Sequence, residues 1–292
     1  MIFDTSYLYF RAFFGVPSSF RSPDGRPVNA VRGTLDFISR LVSQYSPDEV
    51  ACAWDDDWRP GWRVDLIESY KAHRVVVVDG EQIEQVDDDL TVQVPLIREV
   101  LEATGIPIVG AAEHEADDVL ASLARRHAGT SLVVTGDRDL FQLVDDDTSV
   151  VYVARGVAKH EVVTPAVLAE KYGLTPDRYV DFAVLRGDPS DGLPGVKGIG
   201  DKSAASLVNT YPTIEAMVAA AVDASSAMSP SMRSKLLADV DYLARAREVV
   251  TAVDSLDLPP IARGPVEVER LTALGEELGL GGSVPRIIEA LG

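Results

Sequence analysis

Cysteine is nearly absent from these 292 residues. Cys52 stands alone, which excludes an internal disulfide and any structural zinc site built on the cysteines of one chain. Long apolar runs are absent too: the longest, residues 216–222, falls far short of the ~18–20 residues of a membrane span. The apolar start is broken at Asp4 and has no basic residues ahead of it, unlike a secretory leader. A cytoplasmic protein without a membrane partner is therefore the expectation. Positive charge is scarce: 27 Lys and Arg stand against 46 Asp and Glu, a net charge of −19. A simple polyanion binder is usually basic, so the placement of the acids matters more than their number. The chain is 46% hydrophobic and 25% charged, which argues against extended disorder. Its length suits one large domain or two modest ones.

The first half alternates strand-like and helix-like stretches. Residues 2–3, 50–54, 106–109, 132–134 and 150–153 are short apolar runs, while 28–45, 94–103 and 116–124 place apolar residues at helical spacing. Strands separated by helices predict a parallel α/β sheet. Beyond residue 163 the pattern predicts helices at 165–172, 176–185, 202–211, 213–222 and 231–253, with Gly- and Pro-rich turns between them, notably at 187–200. The division expected is an α/β core over 1–162 and a helical domain over 163–292. The acidic triplets 87–89 and 145–147 are read as solvated loop charge.

Other acids fall at particular places. Asp4 follows the first strand, Asp55 the second, and Asp137 and Asp139 the strand at 132–134. The C-terminal ends of parallel strands share one edge, where ligands bind in open α/β sheets. Glu115, Asp117 and Asp118 open the helix at 116–124 beside the same edge. The helix dipole favours acids there by about 0.3–1 kcal/mol each, which accounts for one or two of the three. Asp137 and Asp139, two apart, would share one side of an extended segment. Uncompensated carboxylates this close raise one another's pKa. Hard divalent cations with all-oxygen ligands, Mg²⁺ or Mn²⁺, are the economical countercharge, and two of them about 3.5–4 Å apart suit phosphodiester cleavage.

The second half adds Asp188 and Asp191 in the turn GDPSDG, followed at once by LPGVKGIGDKSA. That string predicts a helix-hairpin-helix at about 185–211. Its glycines permit close approach, backbone N–H groups at the second helix's start face a phosphate, and Lys197 and Lys202 add charge.

Together the stretches IFDTSYLYFRAFF, SYKAHR, EHEADDVL, VTGDRDLFQLV and RGDPSDGLPGVKGIGDKSA resemble the flap endonuclease superfamily, specifically the 5′-nuclease domain of bacterial DNA polymerase I and its stand-alone relatives. They run from residue 2 to 204, and no polymerase domain follows, which suggests the stand-alone form. The resemblance implies a parallel-sheet, PIN-like nuclease core with an arch region near 60–90, and a helical DNA-binding domain. It implies metal-site roles for Asp4, Asp55, Glu115, Asp117, Asp118, Asp137, Asp139, Asp188 and Asp191. Lys71 and Arg74 match a basic pair at the scissile phosphate, Arg11 and Arg63 match arginines near the active site, and Tyr70 matches an aromatic that stacks near the terminal base. Gly195, Val196, Lys197, Gly198, Ile199, Gly200 and Lys202 match the duplex-binding turn, whose carbonyls in the family often hold a K⁺.

Two departures stand out. Asp4-Thr5 replaces the usual Asp-Gly, and the segment from Asp55 to Arg63 is one residue longer than common, leaving Asp55 or Asp56 as the ligand, with Asp55 preferred. The stretch 75–89, apolar then acidic, does not reveal how the arch is built. The function expected is a metal-dependent, structure-specific 5′ nuclease, a 5′-3′ exonuclease and flap endonuclease of replication and repair. It would act as a monomer on flaps, nicks, duplex 5′ ends and RNA primer–DNA hybrids. A non-catalytic branched-DNA binder is the alternative, opposed by the intact acids at Asp137, Asp139, Asp188 and Asp191. A small acidic α/β ribonuclease is a third, opposed by the helical hairpin.

Overall fold

A computed structural model describes residues 1–78 and 80–292. In chain order the elements are β1 (Ile2–Asp4), α1 (Thr5–Gly15), α2 (Asn29–Tyr45), β2 (Ala51–Ala53), α3 (Gly61–Leu66), β3 (Val75–Val78), β4 (Glu81–Glu84), α4 (Asp88–Thr91), α5 (Gln93–Ala103), β5 (Ile108–Val109), α6 (Ala116–Arg126), β6 (Ser131–Thr135), β7 (Thr148–Tyr152) and β8 (Glu161–Val163). Then come α7 (Pro165–Tyr172), α8 (Tyr179–Arg186), α9 (Asp201–Thr210), α10 (Ile214–Val222), α11 (Pro230–Ala238), α12 (Val240–Val250), α13 (Val268–Glu277) and α14 (Ser283–Leu291).

The main sheet has the order β5-β2-β1-β6-β7-β8, parallel except for β8, which pairs antiparallel with β7. Alternation along each strand divides its residues between two cores. Ile2, Ala51, Val133 and Val150 face α6 and the helices of the second half, whereas Phe3, Cys52, Val134 and Val151 face α1, α2, α5 and α14. Burial on both faces explains why these strands are continuously apolar. From β1 the chain builds outward on one side through β2 and β5, and on the other through β6 and β7. The direction of strand order therefore reverses between β1 and β6, where open sheets of this type form their ligand crevice.

The expected α/β core with a helical second part is present. β8 extends the sheet to Val163, and Leu271, Leu274, Ile287 and Leu291 of α13 and α14 pack back into the core around α2 and α5. The expected helix at 231–253 is two helices, α11 and α12, separated at Asp239. Aspartate favours helix ends because its side chain competes for nearby backbone donors, and here Asp239 Oδ2 accepts from Lys197 N at 3.4 Å. The arch region near 60–90 contains α3, a turn of 3₁₀ helix at Ala72–Arg74, the β3–β4 hairpin and α4. Residue 79 of that region lies outside the described residues.

Candidate active site

Each strand end at the crevice delivers an acid. Asp4 closes β1 and caps α1: its Oδ1 accepts from Tyr7 N at 3.0 Å and Ser6 Oγ at 3.1 Å, and Oδ2 accepts from Thr135 Oγ1 at 2.7 Å. Asp55, just after β2, accepts from Ala116 N at 2.7 Å and so ties that strand to the start of α6. Asp137 follows β6 through Gly136. A Cβ at Gly136 would lie 1.8 Å from the Tyr7 ring, so only glycine lets α1 pack here. These acids, with Asp117, Glu115, Asp188 and Asp191, line one cleft of about 430 Å³, together with Lys71 and Arg74. A larger open groove of about 730 Å³ around Trp62, His114 and Arg247 contains none of the predicted site residues.

Two sequence stretches lock together across the cleft. Lys71 N donates to Asp191 O at 2.9 Å and Ser69 Oγ to Gly192 O at 2.8 Å. A Cβ at Gly192 (φ +69°) would lie 2.1 Å from Ser69 O, which explains the glycine after Asp191. Lys71 itself has φ 48°, a left-handed conformation costly for a residue with a side chain. The turn directs its ammonium to Glu115 and to Trp58 O at 3.3 Å. Arg74 Nη2 donates to Ser190 O at 2.6 Å and pairs with Asp191 Oδ1 at 3.0 Å.

Burial dominates the electrostatics. It raises Asp4 to about 6, with help from Asp55, and Asp137 to about 6, with help from Asp191. Burial also lifts Asp117 far above the usual carboxylate range, reinforced by Asp137, Asp4 and Glu115. Asp139 is lifted likewise by burial and by Asp137, and Asp191 by burial against the pull of Lys71. Burial works against the Lys71 ammonium, but Glu115 more than compensates, so it stays charged. Asp4, Asp55, Asp117 and Asp137 make no ion pair among the described residues. Buried, all-oxygen and uncompensated, this set fits a hard divalent cation. Among the described residues no three acids are already drawn together into a cation cage.

Several predicted residues sit elsewhere. Asp118 is fully buried and lies outside the cleft. Its oxygens meet Arg63 at 2.7 and 2.9 Å, and accept from Val253 N at 2.8 Å and Glu115 N at 3.3 Å. It caps the start of α6 and binds an arginine, the role that favours acids at helix starts, and all of these contacts face away from the cleft. Arg63 is a buried partner of Asp118 and Glu115, not a group facing the cleft. Tyr70 is 4% exposed and donates its hydroxyl to Glu115 Oε1 at 2.7 Å, so it presents no face for base stacking. Asp139 does not share a side with Asp137. The chain turns into a 3₁₀ helix at Asp139, which tucks the side chain beneath the cleft against Arg186. Asp55 lines the cleft, whereas Asp56 lies against Gly110. Arg11 stands at the cleft's mouth, in a hollow shared with Tyr7 and Phe10.

The hairpin is built as a turn packed on the end of α8. Val196 and Ile199 are buried, and Val196 N donates to Leu185 O at 3.0 Å. Gly195 and Gly198 have φ 62° and 80°, and Gly200 precedes α9. Lys197 and Lys202 are exposed. The carbonyl of Gly198, expected to help hold a K⁺, accepts from Lys235 Nζ at 2.7 Å. Lys235, like Glu84 at the cleft and Arg186 behind Asp188, had no distinguishing pattern in the sequence. Arg186 stood inside a quoted motif but carried no spacing that marked it.

Comparison with known proteins follows the same lines. Residues 1–173 match the family described as 5′-3′ exonuclease, N-terminal resolvase-like domain, and residues 174–267 match 5′-3′ exonuclease, C-terminal SAM fold. A 5′-3′ exonuclease of Streptomyces coelicolor is 48% identical over 100% of this chain and 99% of its own length. One from Mycobacterium tuberculosis is 44% identical over 100% and 97%. DNA polymerase I of the latter organism is 36% identical over 91% of this chain and 28% of the polymerase. Among solved structures, the T5 D15 protein co-crystallised with metal ions has TM-score 0.70 at 17% identity, covering 100% of this chain and 99% of that one. The catalytic core of Rad2 in complex with a DNA substrate has TM-score 0.66 at 17% identity, covering 99% and 91%. No helix among the described residues is long and apolar enough to cross a membrane.

Proposed function

This chain belongs to the 5′-3′ exonuclease family, and we propose that its cleft hydrolyses DNA phosphodiesters with bound Mg²⁺ or Mn²⁺, at flaps, nicks and duplex 5′ ends. It is an enzyme, homologous to the 5′-3′ exonuclease part of DNA polymerase I. The observation that carries the metal reading is the meeting of Asp4, Asp55, Asp117 and Asp137, from separate elements, without a basic partner among the described residues. Bound divalent ions would supply an activated water and stabilise the leaving oxygen.

The chain's own groups set the rest. Asp4, Asp55, Asp117 and Asp137 would hold ions, with Asp188 and Asp191 also lining the cleft and Asp139 beneath it. Glu115, gripped by Lys71, Arg63 and Tyr70, holds the ammonium of Lys71 at the cleft rather than offering a free carboxylate. Lys71 and Arg74 then face the scissile phosphate and offset charge that develops on it. Arg11 at the mouth would meet the strand that enters. The turn at 195–200, with Lys197 and Lys202, would grip duplex backbone without reading bases. A monomer acting in replication and repair, with RNA primer–DNA hybrids among its substrates, fits the kinship with DNA polymerase I. A K⁺ at the turn would have to share the Gly198 carbonyl with Lys235.

Cleavage-site mapping on end-labelled double-flap, nicked and blunt DNA, with Mg²⁺, Mn²⁺ or EDTA, tests the proposal. Products released from the 5′ side only with a divalent ion are expected. Cleavage undiminished in EDTA would overturn the metal reading.

A further inference from the structure

Arg186 is the last residue of α8, and its side chain is 8% exposed. Nη2 lies 3.3 Å from Asp139 Oδ1 and 3.5 Å from Asp188 Oδ2, and Nε donates to Gly187 O at 3.0 Å. Nη1 is buried with no hydrogen-bond partner. The Phe182 ring stands 5.5 Å from the guanidinium carbon. The head group is thus held between Asp188 of the cleft wall and Asp139 beneath it.

This contact divides the carboxylates by countercharge. Asp191 is paired with Arg74, Glu115 with Lys71 and Arg63, and Asp139 and Asp188 share Arg186. Asp4, Asp55, Asp117 and Asp137 have no such partner among the described residues. A cation arriving among the latter relieves uncompensated charge. A cation arriving at Asp139 and Asp188 must compete with a guanidinium that does not deprotonate at any working pH.

We propose that Arg186 is a positioning residue that orders cation uptake: it holds Asp139 and Asp188 as resident countercharge and keeps a second divalent ion weakly bound until a DNA phosphate joins the site. The inference rests on the metal reading above. Its consequence is that the DNA-free protein carries one ion tightly, and the complete two-ion centre assembles only on substrate.

The test is Mn²⁺ binding to the full chain without DNA, by calorimetry and by electron paramagnetic resonance of free Mn²⁺, for wild type, Arg186→Met, Arg186→Gln and Arg186→Lys. Wild type should bind one ion tightly and a second at least about tenfold more weakly. Arg186→Met should tighten the second ion by about tenfold and leave the first unchanged, and Arg186→Lys should restore the wild-type order. Arg186→Gln keeps a hydrogen-bonding head without the charge, and gives the readout if the Met variant does not fold. A purely structural Arg186 would alter melting temperature without moving the second affinity. Equal second-ion affinities in wild type and the uncharged variants overturn this inference alone. No Mn²⁺ binding by any of the proteins overturns the metal reading, and this inference with it.

Discussion

Arg63 and Asp118 form a two-pronged ion pair beneath the cleft, Nη1 to Oδ2 at 2.9 Å and Nη2 to Oδ1 at 2.7 Å, with both side chains buried. Arg63 Nη1 also lies 3.3 Å from Glu115 Oε1, so the pair supports the carboxylate that holds Lys71. Removing one partner leaves a buried charge uncompensated. Asp118→Ala should therefore destabilise the fold by about 3–5 kcal/mol. Urea unfolding in EDTA reads the loss, and Mn²⁺ titration of the folded variant at low temperature should give wild-type tight-site affinity. A variant of unchanged stability with no tight Mn²⁺ site would return Asp118 to the metal ligands.

The buried acids predict an inverted pH dependence of stability. Asp4 and Asp137 have folded-state pKa values raised to about 6, so between their unfolded values near 4 and 6 the folded protein binds more protons than the unfolded one. Their contribution to stability is greatest below that window and is lost as pH rises through it. In EDTA, melting at pH 7.5 should come below melting at pH 5.5. Saturating Mn²⁺ should reverse the order, because it binds the ionised acids. A metal-free melting temperature that rises across the same interval would contradict the buried, uncompensated cluster.

Asp117 combines deep burial with no ion-pair partner among the described residues. Asp117→Asn should abolish cleavage and raise the melting temperature of the metal-free protein, while most of the Mn²⁺-induced stabilisation disappears. Duplex affinity in Ca²⁺ should stay within about threefold, since phosphate contacts at the hairpin are remote from it. Normal turnover by this variant would remove Asp117 from the site.

Lys71 is held in a left-handed turn against Glu115. Lys71→Met should lower the single-turnover cleavage rate by roughly 10²–10³, the effect of losing one preorganised donor, with little change in DNA affinity. Rapid-quench kinetics beside binding titrations separate the two. Loss of affinity alone would make Lys71 an ordinary phosphate contact.

At the hairpin, Lys197→Ala/Lys202→Ala should flatten the dependence of log K on log salt by roughly 1–2 units. Adding Lys235→Met exposes the Gly198 carbonyl and should make duplex affinity differ between K⁺ and Na⁺. An unchanged slope in the double variant would place the duplex on another surface.

Much of the site was legible because its chemistry depends on residue type at strand ends. Short apolar runs ending in acids marked Asp4, Asp55 and Asp137, and the structure brings these three into one cleft. The glycines beside Asp137 and Asp191 are explained only by close packing, of Tyr7 on one and Ser69 on the other. Spacing could not show which acids already had partners. Glu115, Asp117 and Asp118 look alike at the start of a helix, yet one is gripped by a lysine, one is bare and one is clamped by an arginine 55 residues earlier.

The sequence alone determined the types of the main core elements, the parallel sheet and the identity of the acids at its edge, because periodicity and strand termini are local properties of the chain. Tertiary structure decided which basic side chain neutralises which acid, that Tyr70 turns inward, that Asp139 drops beneath the cleft toward Arg186, and that the last two helices return to the first core. Those outcomes depend on groups distant in sequence competing for the same buried space and charge, a competition that no local pattern records.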